Sequence, residues 1–229
     1  RALMRLAGIM RRRKFELAAL LTYEAGKNWA EADGDVAEAI DFVEYYAREA
    51  LRLEAPVNVA GLPGEENTTW LKPLGTGVVI PPWNFPLAIL VGTAIGPVAV
   101  GNTVIIKPSP NTPVIAGRFM ELVEEAGFPA GVMNLLTGTD AILGDALVDN
   151  VRTRFINFTG SVNTGLRIHE RAARLQPGQR FIRKVYAEMG GKDALIVDET
   201  ADIDLHADAA VASAFGFNGQ KCSRWTVRM

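Results

Sequence analysis

The feature that most constrains this chain is an alternation of short apolar strands and helices that begins at residue 76. Strands read at Thr76–Ile80, 103–107, 133–136 and 154–158, and helical runs lie between them at about 86–100, 112–126 and 139–149. A fourth helix is predicted at 161–174. Thr112 followed by Pro113 has the form of an N-cap and a first-position proline, and Gly127 stands where that helix should stop. Alternation at this spacing predicts an α/β fold, a Rossmann-like parallel sheet with helices on both faces. Such sheets bind ligands beyond the carboxyl ends of their strands. The residues just after each strand are therefore the ones to inspect.

Four of those exits are unusual. The first strand runs through Ile80 into Pro82-Trp83-Asn84-Phe85-Pro86, and the second into Lys107-Pro108-Ser109. The third leads to Thr137-Gly138-Thr139, and the fourth ends at Phe158 and opens a helix through Thr159-Gly160-Ser161. The last has a hydroxyl, a glycine that allows close approach, and helix N-terminal amides, which are the parts of an anion site. Lys107 adds positive charge on the same edge. A Thr-Gly-Ser is by itself usually a helix cap, and a Lys-Pro usually a strand exit. Their placement on one sheet edge points to a nucleotide with its phosphates at the strand ends. No GxGxxG follows any strand, so the usual dinucleotide fingerprint is absent.

Upstream, residues 1–24 carry apolar positions at helical spacing, and a second helix reads from about Val36 to Leu53. Asp35 is its expected N-cap, with Glu38 placed as in a capping box. Pro56, Gly61, Pro63 and Gly64 mark an irregular or hairpin connection. Downstream, a strand pair is predicted at 181–187 and 193–197, with Glu188-Met189-Gly190-Gly191-Lys192 between. An apolar run over 207–217 predicts a helix that delivers Cys222 just past its end. The organisation expected is residues 1–75 as helices and connection of a cofactor domain, 76–190 as its nucleotide-binding part, and 191–229 as the start of a second α/β catalytic domain.

Cys222 is the only cysteine in 229 residues. A thiol serves an enzyme when it is a thiolate at an electropositive, partly exposed turn, and Lys221 precedes this one. The plain alternative is a small buried hydrophobe. A single cysteine excludes an internal disulfide framework and fits a reducing compartment. His169 and His206 lack metal-ligand spacing, so exposed helix positions are expected for both and no metal site is assigned. Net charge is −2, and the basic run Arg11-Arg12-Arg13-Lys14 reads as a solvated helix face, which argues against nucleic-acid binding. Residues 87–106 are apolar, but Gly92, Gly96, Pro97 and Gly101-Asn102 break them into a helix, a turn and a buried strand, not a membrane span. The chain begins with Arg1, shows no signal-peptide pattern, and stops soon after Cys222, so both ends are expected to continue in a longer protein.

Five motifs, Pro82–Pro86, Lys107-Pro108-Ser109, Phe158–Ser161, Glu188–Lys192 and Gly219-Gln220-Lys221-Cys222, resemble the ordered motif set of the NAD(P)-dependent aldehyde dehydrogenase superfamily. The stretch 127–134 looks like that family's glycine-proline turn. Stretches 153–161, 172–186 and 191–202 look most like the branch that oxidises L-glutamate γ-semialdehyde to L-glutamate in proline catabolism. The resemblance implies Cys222 as nucleophile, Glu188 as general base and Asn84 as oxyanion donor. It implies NAD, or NADP, held by Ile80, Pro82, Trp83, Lys107, Ser109, Gly138, Phe158, Thr159, Gly160 and Ser161. It further implies a small aldehyde substrate, no membrane partner, a homo-oligomeric or bifunctional proline-oxidising parent, and a cytoplasmic or mitochondrial-matrix location.

Three departures stand out. Pro110 replaces a glutamate often found there, which opens the choice between NAD and NADP. Residues 224–229 depart from the small-residue continuation expected after Lys-Cys-Ser. The chain also stops before the family's ribose-binding glutamate and oligomerisation segment, so the 229 residues alone are expected to be inactive. Two rival readings are a CoA-acylating relative, against which Glu188 argues, and a non-catalytic nucleotide-binding fragment.

Overall fold

The predicted parallel sheet is present in the computed structural model, which describes residues 1–223 and, of Ala141, the backbone only. The departure read over residues 224–229 lies outside the described residues. Three helices lead the chain: α1 (Ala2–Arg12), α2 (Lys14–Ala25) and α3 (Trp29–Glu54). The helical run expected over 1–24 is thus two helices, which meet at Arg13. Strands β1 (Val57–Val59) and β2 (Asn67–Thr69) form an antiparallel hairpin, the second of the two connections left open by the sequence.

The main sheet holds β3 (Thr76–Ile80), β4 (Thr103–Ile106), β5 (Met133–Leu135), β6 (Phe155–Thr159) and β7 (Lys184–Glu188), in the order β5-β4-β3-β6-β7. Every neighbouring pair is parallel. Four crossover helices connect the strands: α4 (Ala88–Ala99), α5 (Pro113–Glu125), α6 (Asp140–Asp149) and α7 (Val162–Ala173). Helix α8 (Ile203–Phe215) follows β7 and starts earlier than the sequence reading placed it.

Alternate strand residues face opposite layers. Val79, Val104, Ile106 and Phe155 belong to a large core with α1–α5, and Val78, Ile156 and Phe158 to a smaller one with α6 and α7. No helix among the described residues is long and apolar enough to cross a membrane.

Three expectations are corrected. Helix α3 begins a full two turns before Val36: its N-cap is Asn28, whose side chain accepts the Glu31 N–H at 2.9 Å. Asn28 and Glu31 have the same spacing as Asp35 and Glu38, and burial decides between them. Asp35 lies inside the helix with its carboxylate fully enclosed, opposite Lys27 at 2.8 Å. Thr112 does occupy the N-cap of α5 with Pro113 behind it, but its hydroxyl makes no capping bond. The cap comes from elsewhere in the chain: the Glu24 carboxylate takes the N–H of Val114 at 2.6 Å and of Ile115 at 2.8 Å. An anion at a helix N-terminus satisfies free amides and the helix dipole together. Finally, 193–197 is not a strand. It shows one isolated bridge at Asp193, and Leu195, Ile196 and Val197 are exposed. Among the described residues β7 pairs with β6 alone, so its outer edge is open, but no layer there covers the apolar side chains of 195–197.

Candidate active site

The sheet turns back on itself between β3 and β6. From β3 the chain moves outward through β4 to β5, then returns to β6 and proceeds the other way to β7. Their carboxyl ends flank the topological switch point, where a crevice opens. A cleft of about 1010 Å³ lies there. It receives the exits of β3, β4 and β6, the first turns of α6 and α7, and the loop that ends at Cys222.

Most of the residues expected to meet a cofactor line this cleft: Ile80, Pro82, Trp83, Lys107, Ser109, Phe158, Thr159, Gly160 and Ser161. Gly138 does not. It sits before α6 with φ +158°, and a Cβ there would meet the Leu143 side chain at 2.6 Å, so it shapes the turn and does not line the cleft. Ser161 caps α7, accepting the Thr164 N–H at 3.3 Å. Gly160 donates its N–H to the Glu188 carbonyl at 3.0 Å, which ties the turn after β6 to the end of β7. A side chain at Gly160 would also strike the Phe158 ring at 2.6 Å. Lys107 is buried, and its ammonium lies against the Asp140 carboxylate and 3.3 Å from the Pro108 carbonyl. Asp140 was not foreseen as a partner. Its position in the first turn of α6, beside the strand-exit lysine, was the available signal.

Cys222 is exposed, which overturns the reading of a buried hydrophobe. Its loop is built from unusual backbone. The turn over Gly216–Gly219 holds Phe217 and Asn218 at φ +50° and +53°, two successive non-glycine residues in the left-handed region. Each such residue costs of order 1 kcal/mol, so surrounding contacts must hold them. Three do. Trp83 packs against Phe217, with ring centroids 6.1 Å apart. Lys221 pairs with Glu31 of α3 at 2.8 Å, so the charge next to the thiol is matched by an acid. Asn84 donates from Nδ2 to the Gln220 carbonyl at 2.7 Å. A primary amide carries two N–H groups, and the second is what an oxyanion beside Cys222 would use. Gly191 leaves room for the Cys222 carbonyl, which a Cβ at 191 would overlap.

Glu188 lies elsewhere. It lines a second groove of about 760 Å³, formed with residues of α3, α4, β6 and β7. The two cavities share Ile89, Phe158 and Thr159 as a common wall. The end of β6 therefore separates a nucleotide-sized cleft from a groove that carries a carboxylate.

The residue that sequence reasoning passed over is Lys27. Gly26-Lys27-Asn28 reads as a helix stop and a new start, and nothing local says that the lysine is buried against Asp35. The histidines carry no metal cluster, and none of the described residues forms one. His169 is exposed, whereas His206 is half-buried, with Nδ1 2.6 Å from the Asp202 carbonyl.

Comparison with known proteins identifies the family and the fold. The profile of the aldehyde dehydrogenase family matches residues 1–228. A 1-pyrroline-5-carboxylate dehydrogenase of Anoxybacillus flavithermus is 58% identical over 221 residues, covering 96% of this chain and 43% of the relative. One from Oceanobacillus iheyensis is 57% identical over 223 residues, covering 97% and 43%. A Thermus 1-pyrroline-5-carboxylate dehydrogenase solved with bound NAD superposes with a TM-score of 0.95 at 58% identity, covering 98% of this chain and 44% of that one. Proline utilization A of Bdellovibrio bacteriovorus superposes with a TM-score of 0.95 at 48% identity, covering 98% and 24%. The chain thus spans less than half the length of the relatives it matches.

Proposed function

The chain belongs to the aldehyde dehydrogenase family, and from that premise we propose that a protein built on it oxidises L-glutamate γ-semialdehyde, the open form of 1-pyrroline-5-carboxylate, to L-glutamate with NAD. The observation that carries the reading is the meeting of Asn84 and the Cys222 loop, at 2.7 Å, on the rim of the cleft at the switch point.

The cleft fits a dinucleotide on its own chemistry. Its size matches ligand sites in general. It has an apolar wall from Ile80, Phe158 and Ile168, the capped N-terminus of α7 at Ser161, and the buried Lys107. NAD, when bound, supplies the hydride acceptor that turns a hemithioacetal into a thioester.

The protein's own part follows from its residues. The Cys222 thiolate attacks the aldehyde carbon, and the carbonyl pair moves onto oxygen. The free N–H of Asn84 and the backbone N–H of Cys222 receive that oxyanion, a donor of this kind being worth about 3 kcal/mol in the transition state. Glu188 takes a proton from water, the resulting hydroxide adds to the thioester carbonyl, and the C–S bond breaks to release the acid and restore the thiolate. Glu188 stands across the wall of Ile89, Phe158 and Thr159 from the cleft that Cys222 lines.

The relatives that share 56–58% of residues are 1-pyrroline-5-carboxylate dehydrogenases, which supports the semialdehyde as substrate. The proline utilization A neighbours support a place in proline oxidation, either as a separate homo-oligomer or as part of a bifunctional chain. The cytoplasm is the location that suits both. The test compares kcat/KM for glutamate γ-semialdehyde with that for pentanal, in a protein of the relatives' full length. A clear preference for the semialdehyde is expected. Equal values would leave a general aldehyde dehydrogenase.

A further inference from the structure

We propose that Lys27 is a positioning residue for Asn84 and Cys222, acting through its buried pair with Asp35; this rests on the dehydrogenase reading above. Lys27 and Asp35 have no exposed side-chain surface, and Nζ stands 2.8 Å from Oδ2. Removing two charges from water is unfavourable, and a buried pair gains little net stability over apolar side chains of the same volume. Its contacts show what else it holds.

The ammonium has more than one face. Beyond Asp35, it lies 3.9 Å from the centroid of the Phe85 ring and 5.1 Å from that of Phe217. Phe85 follows Asn84 directly. Phe217 is one of the two left-handed residues in the loop that leads to Cys222. An ammonium over an aromatic face is attracted to it, the more so when water is excluded. The other oxygen of Asp35 accepts the Ala88 N–H at 2.6 Å, which fixes the first turn of α4, just after the Asn84 segment. One turn from Lys27, Glu31 pairs with Lys221, next to Cys222. The corner between α2 and α3 therefore grips both segments that the reaction needs, and none of its charged groups lines the cleft where a nucleotide would lie. Burial pushes the Asp35 carboxyl above its usual range, and the Lys27 ammonium and the Ala88 N–H oppose this.

The mechanism proposed for Lys27 is geometric. The pair sets the separation between the amide and the thiol, and a misplacement of about 1 Å at a reacting group costs on the order of a hundredfold in rate. The test is Lys27→Met combined with Asp35→Asn, in a protein of full length. This keeps the volume and the acceptor for Ala88 but removes both charges. The expected result is a fall of about tenfold to a hundredfold in kcat for aldehyde oxidation, with the Kd for NAD unchanged and thermal unfolding close to the parent's. The alkylation rate of Cys222 by iodoacetamide, followed on its peptide by mass spectrometry, should change alongside.

A double variant with parental kcat and parental alkylation overturns the proposal. So does a variant that loses NAD affinity and thermal stability in step with activity, because that is a general structural role. Should the double variant fail to fold, Phe217→Leu removes one ring from the ammonium and leaves the pair intact; unchanged kcat and alkylation there also overturn the proposal. If the unsubstituted protein oxidises no aldehyde, the dehydrogenase reading fails. Alkylation still reports whether the pair sets the loop.

Discussion

Helices α4 and α8 are written in similar residues and end in opposite surroundings. Both are rich in alanine and branched apolar side chains. In α4, Ala88, Leu90, Val91, Gly92, Ala94 and Ile95 are all buried. In α8 only Ala214 is, while Ile203, Leu205, Val211 and Phe215 stand mostly exposed. Yet each delivers one half of the same site: the Asn84 segment leads into α4, and the Cys222 loop follows α8. The amide is placed by a packed core. The thiol is placed by a few specific contacts at the end of a helix that the described residues barely cover.

That contrast predicts where substitutions act. The largest effect belongs to the thiol: Cys222→Ala in a protein of full length should reduce aldehyde oxidation to background while NAD binding stays nearly intact, measured by NADH formation and cofactor titration. Retained turnover would remove Cys222 from the chemistry. Next comes Glu188→Gln, which should slow steady-state turnover by about 10²–10⁴-fold. A rapid burst of NADH should survive it, seen by stopped flow. Loss of the burst with cofactor still bound would make Glu188 the activator of the thiol instead.

Leu90→Ala, inside α4, should cost about 2–5 kcal/mol in denaturant unfolding. Asn28→Ala should cost about 1 kcal/mol by the same measurement, through the lost cap of α3. The smallest effect is expected on α8, where Leu205→Ser in the 229-residue chain should move stability by no more than about 0.5 kcal/mol. If the α4 and α8 variants cost the same, α8 is packed in solution and the contrast between the two helices disappears.

The sheet was readable because its signals are local. Alternating apolar runs, Pro113 and Gly127 mark their own elements, and the strand exits follow once the elements are known. The errors came where distant residues decide. Asp35 has the spacing of a cap, but Lys27 on one side and Ala88 on the other claim its carboxylate. Thr112 has the residue type of a cap, but Glu24 reaches α5 first. The segment 193–197 has the composition of a strand, but its apolar side chains find no covering layer among the described residues. Asn84 and Cys222 were named by resemblance, and the structure brings their segments together, while the buried lysine between those segments leaves no mark in its neighbours along the chain.

The close approach of Gly191 to Cys222 has a genetic consequence. Every base change in a glycine codon that alters the residue adds at least a methyl group. At 191 that carbon would stand 2.8 Å from the Cys222 carbonyl carbon. A single nucleotide thus suffices to displace the backbone at Cys222 while every residue of the proposed catalytic set keeps its identity, and such an allele would read as intact to anyone who checked only those residues.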